Sequence, residues 1–206
     1  MVSGYQIKRP PGLFFVYSYE KNKKCIFVIL KGREMRKLKL EELGRLSVDE
    51  YKDSKKISVS IMLDNVRSLH NVGSAFRTSD AFRIEKIYLT GITGKPPHRE
   101  IHKAALGATD SVDWEYYENP VEIVSKLKSQ GVEIIAVEQA EGSISLKDFR
   151  RSDDKPLLLI FGNEVDGVSD DVFDMCSHCI EIPQQGTKHS FNISVSIGIV
   201  LWELCK

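Results

Sequence analysis

The sequence predicts an α/β protein whose mostly parallel sheet is flanked by helices. From residue 57 onward, short apolar runs alternate with stretches of helical period, a pattern that implies βαβ units. The chain has 206 residues, 42% hydrophobic and 28% charged, which is the composition of a globular domain with a sizeable core and excludes disordered and fibrous classes. No internal repeat or low-complexity linker interrupts residues 57–206, so that stretch reads as one domain.

Residues 1–56 read as a basic N-terminal extension, of which 1–34 look accessory. Arg9-Pro10-Pro11-Gly12 breaks any regular element, Phe14 to Tyr19 is an aromatic run, and Lys21 to Lys24 is a lysine cluster before the strand-like run Cys25 to Leu30. Met35 opens a basic segment with Leu38, Leu40, Leu43 and Leu46 at helical spacing, and Ser47-Val48-Asp49-Glu50 reads as a helix start. Strands are then expected at Ile57 to Leu63, Lys86 to Leu89, Val112 to Tyr117, Val132 to Val137, Pro156 to Phe161 and His178 to Ile182. Helices are expected at Val72 to Phe82, Pro120 to Lys128, Ser169 to Cys176 and Ser190 to Leu204.

The 29 basic and 29 acidic residues cancel, so nucleic-acid binding needs a local patch. One exists in outline, because residues 1–40 hold ten Lys/Arg against Glu20 and Glu34. No apolar run approaches the roughly 18 residues of a membrane span, and no secretory signal is expected. Cys25, Cys176, Cys179 and Cys205 are too sparse and uneven for a disulfide scaffold, which predicts a reduced, cytoplasmic protein. Cys176-Ser-His-Cys179 is a lone C-x-x-C without a second ligand pair, so no metal is expected and helix-end packing is the preferred reading.

Ligands of open parallel sheets bind beyond the carboxyl ends of the strands, which directs attention to three loops. The first, after Ile57 to Leu63, contains Asn71 and Arg77. Six residues separate them, or ~600° of helical rotation, so they cannot share a helical face, and Asn71 is expected at or before the helix N-terminus if the two act together. Taken alone, the pair also reads as an N-cap followed by a surface arginine. The second, Gly162-Asn163-Glu164-Val165-Asp166-Gly167-Val168-Ser169, leads a buried strand through glycines into a capped helix, where backbone groups can approach a ligand. Taken alone, Glu164 is equally a solvated turn carboxylate. The third runs from Ile182 to Asn192 into an apolar helix whose small residues Ser194, Ser196 and Gly198 predict close packing, with Ser190 readable as its N-cap. Neither a dinucleotide fingerprint nor a P-loop is present.

Together and in this order, the three segments resemble the SPOUT superfamily, specifically the SpoU/TrmH-type RNA ribose 2′-O-methyltransferases, over about three quarters of the chain. Asn71-x-Gly73-x-x-x-Arg77-Thr78 is similar to that family's first motif, Phe161-Gly162-Asn163-Glu164-x-x-Gly167-Val168-Ser169 to its second, and Ile182-Pro183 to Ser190-Phe191-Asn192-Ile193-Ser194 to its third. The resemblance implies a C-terminal trefoil knot, S-adenosylmethionine as methyl donor, a homodimer, and a tRNA or rRNA substrate. It implies Arg77 as the residue that contacts RNA phosphate or ribose and promotes deprotonation, with Asn71, Ser190 and Asn192 orienting it and Glu164 supporting the site. An arginine normally stays charged, so positioning and stabilisation of the developing oxyanion compete with a role as base.

For the cofactor, the resemblance implies Gly162, Ile182 and Phe191, with Gln184 and Glu138 as further candidates. Phe191 stands where the family more usually has leucine, and Gln184 where it frequently has methionine. RNA contacts are expected from the N-terminal segment and from Lys95, Arg99 and Lys103 on a loop beside the first motif. The competing class is a catalytically silent knotted RNA-binding or assembly protein, which a lost arginine or degraded third motif would have favoured. A base methyltransferase of a sister family is disfavoured by the Asn71/Arg77 and Ser190/Asn192 pairs.

Overall fold

A computed structural model describes residues 13–16, 28–31, 36–151 and 155–205. The chain divides into two units, residues 1–45 and 46–206. In the first, β1 (Leu13–Val16) pairs antiparallel with β2 (Val28–Lys31), with Leu13 opposite Lys31. The Arg9-Pro10-Pro11-Gly12 break and the Lys21 to Lys24 cluster lie outside the described residues. The leucine-spaced segment departs from its expected helix: only Leu40–Leu43 turns, as 3₁₀, and Gly44 ends it in the left-handed region at φ 57°. Leu38, Leu43 and Leu46 are exposed, and a short helix without an apolar face to bury does not propagate.

The second unit opens with α1 (Val48–Asp53), started by a capping box in which Ser47 accepts from the Glu50 N–H and Glu50 accepts from the Ser47 N–H at 2.8 Å. The expected strands follow as β3 (Ile57–Asp64), β4 (Ile84–Thr90), β5 (Trp114–Tyr117), β6 (Glu133–Val137), β8 (Leu157–Phe161) and β9 (His178–Glu181). The two-residue strand β7 (Ile144–Ser145) completes a seven-stranded sheet of order β5-β4-β3-β8-β6-β9-β7, in which every neighbouring pair is parallel.

Side chains alternate between the two faces, as the pleat requires. On one face Ile61, Leu63, Leu159 and Phe161 cluster with residues of α2 (Leu69–Phe82), α3 (Arg99–Ala105) and α7 (Ile193–Leu204). On the other, Met62, Leu158 and Ile160 cluster with α5 (Pro120–Ser129) and α6 (Asp170–Phe173). β8 is buried at every position, as a parallel strand covered on both faces must be.

Two short helices, α3 and α4 (Ala108–Ser111), stand where no helix was expected, because neither is long enough to display a period. α3 is held instead by a backbone contact: a Cβ on Gly73 of α2 would come 2.5 Å from the Ile101 carbonyl oxygen and 2.6 Å from the Ala104 Cβ. α7 begins at Ile193, with Asn192 rather than Ser190 as its cap. The close packing expected at Ser194, Ser196 and Gly198 is not made at Gly198, where an added Cβ would meet nothing within 4 Å. Among the described residues no helix is long and apolar enough to cross a membrane.

The chain steps outward from β3 through β4 to β5, then occupies the opposite side of β3 with β8, β6, β9 and β7. Strand order therefore reverses between β3 and β8. Loops leaving the carboxyl ends of these two strands are tied to each other, and a cavity opens beside them, beyond the carboxyl ends of β6, β8 and β9.

Candidate active site

β3 ends in Asp64, which is fully buried. Its Oδ2 accepts from the Ser169 N–H at 2.8 Å and the Ser169 hydroxyl at 2.7 Å, and its Oδ1 accepts from Asn65 Nδ2 at 2.9 Å. A buried carboxylate is tolerable because its acceptors are filled. Asn163, one residue past Gly162 at the end of β8, ties the two loops together: its Nδ2 donates to the Asn65 carbonyl at 2.7 Å. Its Oδ1 accepts from Val165 N at 2.8 Å and Asp166 N at 3.2 Å, closing a tight turn with Gly167 at φ 73°. Gly162 has no room for a side chain, since a Cβ there would overlap the Gly167 carbonyl group and Val168 N. Sequence reasoning did not single out Asp64 or Asn163; their signal was an Asx residue at the carboxyl end of each of two adjacent buried strands.

Asn71 lies inside the first turn of α2, not at or before its start. Ser68 is the cap and accepts from the Asn71 N–H at 3.3 Å, which frees the Asn71 side chain for other partners. The buried Asn71 amide donates to Glu164 Oε1 at 3.1 Å, and its Oδ1 accepts from Asn192 Nδ2 at 3.2 Å. Glu164 also accepts from Arg67 N at 3.2 Å and Ser68 N at 3.3 Å, so a carboxylate occupies the positive end of α2. Partial burial pushes the Glu164 carboxyl up, but hydrogen bonds from its own N–H, Asn71, Arg67 and Ser68 outweigh it and hold the group below the usual range. One residue from each of the three motif loops thus meets in a single hydrogen-bonded chain.

Beside that chain lies a cavity of about 620 Å³. Gly162, Ile182, Gln184, Phe191 and Glu138 all line it, and Glu164, Ser190 and Asn192 reach it from the hydrogen-bonded chain and the third loop. Asn71 stands behind Glu164 and Asn192 and is not on the wall. The volume is that of a nucleoside-sized ligand site. Ile182 and Phe191 offer apolar surface to a heteroaromatic ring, and Glu138 and Glu164 bring carboxylates to a cationic group. These residues fit S-adenosylmethionine.

The cations are elsewhere. Arg77 is exposed and does not line the cavity, and its side chain makes no hydrogen bond or ion pair among the described residues. Arg99 and Lys103 are exposed on α3, not on the loop expected for them, while Lys95 sits 3.8 Å over the Tyr116 ring. The cysteine motif is a packing feature: burial pushes Cys176 up to about 11 and Cys179 also up, and their Sγ atoms lie 3.4 Å from the Val172 carbonyl and 3.3 Å from the Glu138 carbonyl. No group of three or more His, Cys, Asp or Glu side chains able to hold a metal occurs among the described residues.

Fold and site define an α/β protein with a nucleoside-sized cavity at the carboxyl ends of a parallel sheet. Residues 58–202 match the SpoU rRNA Methylase family, and the chain belongs to that family. It is 32% identical over 158 residues to a tRNA (guanosine(18)-2′-O)-methyltransferase of Aquifex aeolicus, covering 75% of this chain and 72% of the relative. It is 29% identical over 143 residues to a 23S rRNA (guanosine-2′-O-)-methyltransferase of Nitrosomonas europaea, covering 69% of this chain and 54% of that one. The chain thus spans about half the length of the second relative.

Among solved structures, the A. aeolicus TrmH/SpoU tRNA modifying enzyme superposes with a TM-score of 0.68 at 29% identity, over 76% of this chain and 78% of the other. An AdoMet-bound rRNA methyltransferase of Sinorhizobium meliloti gives 0.66 at 28% identity, over 77% and 60%.

Proposed function

We propose that the protein transfers a methyl group from S-adenosylmethionine to a ribose 2′-hydroxyl of tRNA or rRNA, and does so as a cytoplasmic homodimer without a metal. The observation that carries the reading is the Glu164–Asn71–Asn192 chain, which joins the three motif loops beside a cavity of about 620 Å³. When bound, S-adenosylmethionine would supply an electrophilic methyl on a sulfonium. Glu138, Gly162, Ile182, Gln184 and Phe191 would hold the cofactor, and Ser190, Asn192 and Glu164, on the same cavity wall, would orient the ribose and support the site.

A ribose hydroxyl is a poor acid and nucleophile, so it must be held in line with the methyl and relieved of its proton. Arg77 serves that step by fixing the RNA phosphate or ribose and stabilising the developing oxyanion. Because Arg77 stands off this chain's own cavity, it completes a site only with RNA or a second subunit in place. The apolar face of α7 supports the dimer: Val195 and Trp202, seven residues apart and 47% and 67% exposed, share a side of the helix, and Gly198 opens onto free space. Arg99 and Lys103 on α3 would add phosphate contacts, as would Lys95 over the Tyr116 ring.

The trefoil knot belongs to the same proposal. Two hydrogen bonds, from Leu146 N to the Glu181 carbonyl at 2.8 Å and from Gln139 Nε2 to the His189 carbonyl, hold the segments before and after Ile182 against residues 138–146, and the threading itself rests on the family.

The test is incubation of purified protein with labelled S-adenosylmethionine and total RNA from a host lacking the gene, followed by mass-spectrometric mapping. A 2′-O-methylated ribose is expected. Label on a base would overturn the ribose mechanism, and cofactor binding without transfer would favour the silent RNA-binding reading.

A further inference from the structure

We infer that Gln139 is a positioning residue that, together with Glu138, sets the cofactor cavity by holding its two loops from one point at the end of β6. The inference rests on the reading of the cavity as the S-adenosylmethionine site. β6 ends at Val137, and the next two residues send their side chains to different loops. Glu138 Oε2 accepts from Val168 N at 3.3 Å and lies against Gly167, where a Cβ would come 2.5 Å from the same oxygen. The other oxygen, Oε1, accepts from Gln139 N at 2.9 Å. Glu138 therefore braces the loop of the second motif and is itself anchored by its neighbour.

Gln139 braces the third. Its Nε2 donates to the His189 carbonyl, 50 residues away, immediately before Ser190 and Phe191 on the cavity wall. Among the described residues this is the hydrogen bond that ties residues 183–191 to the rest of the protein; the stretch has no helix or strand of its own. A loop with a single tether samples many conformations, and each must be given up when a ligand binds. The tether removes part of that cost beforehand. Gln139 is exposed and itself on the cavity wall, so its amide acts without contributing to the core, and exchange in the unliganded protein reads its hold on the loop apart from any contact with the ligand.

The experiment compares wild-type protein, Q139A and Q139E by calorimetric titration with S-adenosylmethionine, by steady-state kinetics, and by hydrogen exchange of the unliganded proteins. Loss of one neutral hydrogen bond should weaken cofactor binding about three- to tenfold and raise the cofactor KM by a similar factor, with kcat within about twofold. Q139E, which sets a carboxylate against the His189 carbonyl, should weaken binding further. Amides of residues 183–191 should exchange faster in Q139A, with exchange in β3, β8 and β6 and the melting temperature unchanged. Equal binding by wild type and Q139A, or equal exchange in that loop, would overturn the inference alone. Failure of the wild-type protein to bind S-adenosylmethionine would overturn the cavity reading and this inference with it.

Discussion

Asn192 Nδ2 donates to Asn71 Oδ1 at 3.2 Å, joining the cap of α7 to the first turn of α2 across 121 residues of chain. The same side chain caps its own helix through Oδ1, which accepts from Ser194 N at 2.9 Å. Its two functional atoms therefore do different work. Asn192→Asp keeps the cap acceptor and removes the donor to Asn71. We expect it to lose about 1–3 kcal/mol of stability, because a partner group is left unsatisfied, and to lower turnover by more than an order of magnitude. Urea denaturation and single-turnover methylation measure the two effects separately.

Arg77 is exposed and off the cavity wall, so its removal should leave the cofactor site intact. Arg77→Ala is expected to abolish methyl transfer while holding the S-adenosylmethionine dissociation constant within about a few-fold, the signature of a residue that serves the RNA and the methyl-transfer step and not the cofactor. Retained turnover would take Arg77 out of the mechanism.

Gly162 packs directly on the Gly167–Val168 peptide. A methyl group at residue 162 must displace backbone rather than a flexible side chain. Gly162→Ala should cost about 1–3 kcal/mol as an overpacking substitution and sharply reduce cofactor binding, because the displaced turn carries the cavity wall. Denaturation midpoints and calorimetry check both arms; a variant with unaltered cofactor affinity would show that the wall adapts.

The depressed Glu164 carboxyl gives a pH signature. Its folded pKa is below the unfolded value, so its contribution to stability is fully present above about pH 4.3 and is lost as pH falls through the lowered folded value. The stability gap between wild type and Glu164→Gln should therefore be constant near neutrality and shrink in acid. Urea midpoints for both proteins between neutral and acid pH measure it. A gap independent of pH would mean that the ionised carboxylate contributes nothing to the N-terminus of α2.

Much of the fold was legible because strands and helices announce themselves over a few residues. Leu157 to Phe161 is apolar throughout because both faces of β8 are covered, and the 3.6-residue period of α5 placed it within a residue of its observed end. Elements of no more than about two periods, without a cap signal in front of them, were not legible: α3 has seven residues, α4 four and β7 two. The leucine spacing from Leu38 to Leu46 shows the converse, a period with nothing to pack on.

The site was legible as motifs and not as a network. Glu164 and Asn192 both stood out in the sequence, but nothing in their spacing says that each bonds to Asn71. Gln139 carried no signal, because a surface glutamine has meaning only when the carbonyl it reaches is known.

What the sequence by itself determined is the alternation of elements, the burial of the central strands and the three loops that carry chemistry, all of which follow from patterns a few residues long. Tertiary structure alone decided that β8 inserts beside β3, that Asn71, Glu164 and Asn192 meet while Arg77 stands apart, and that Gln139 holds the His189 carbonyl. The physical reason is range. Periodicity reports which face of an element is apolar, whereas the meeting of polar groups about a hundred residues apart depends on the order in which buried strands pack, which no local pattern encodes.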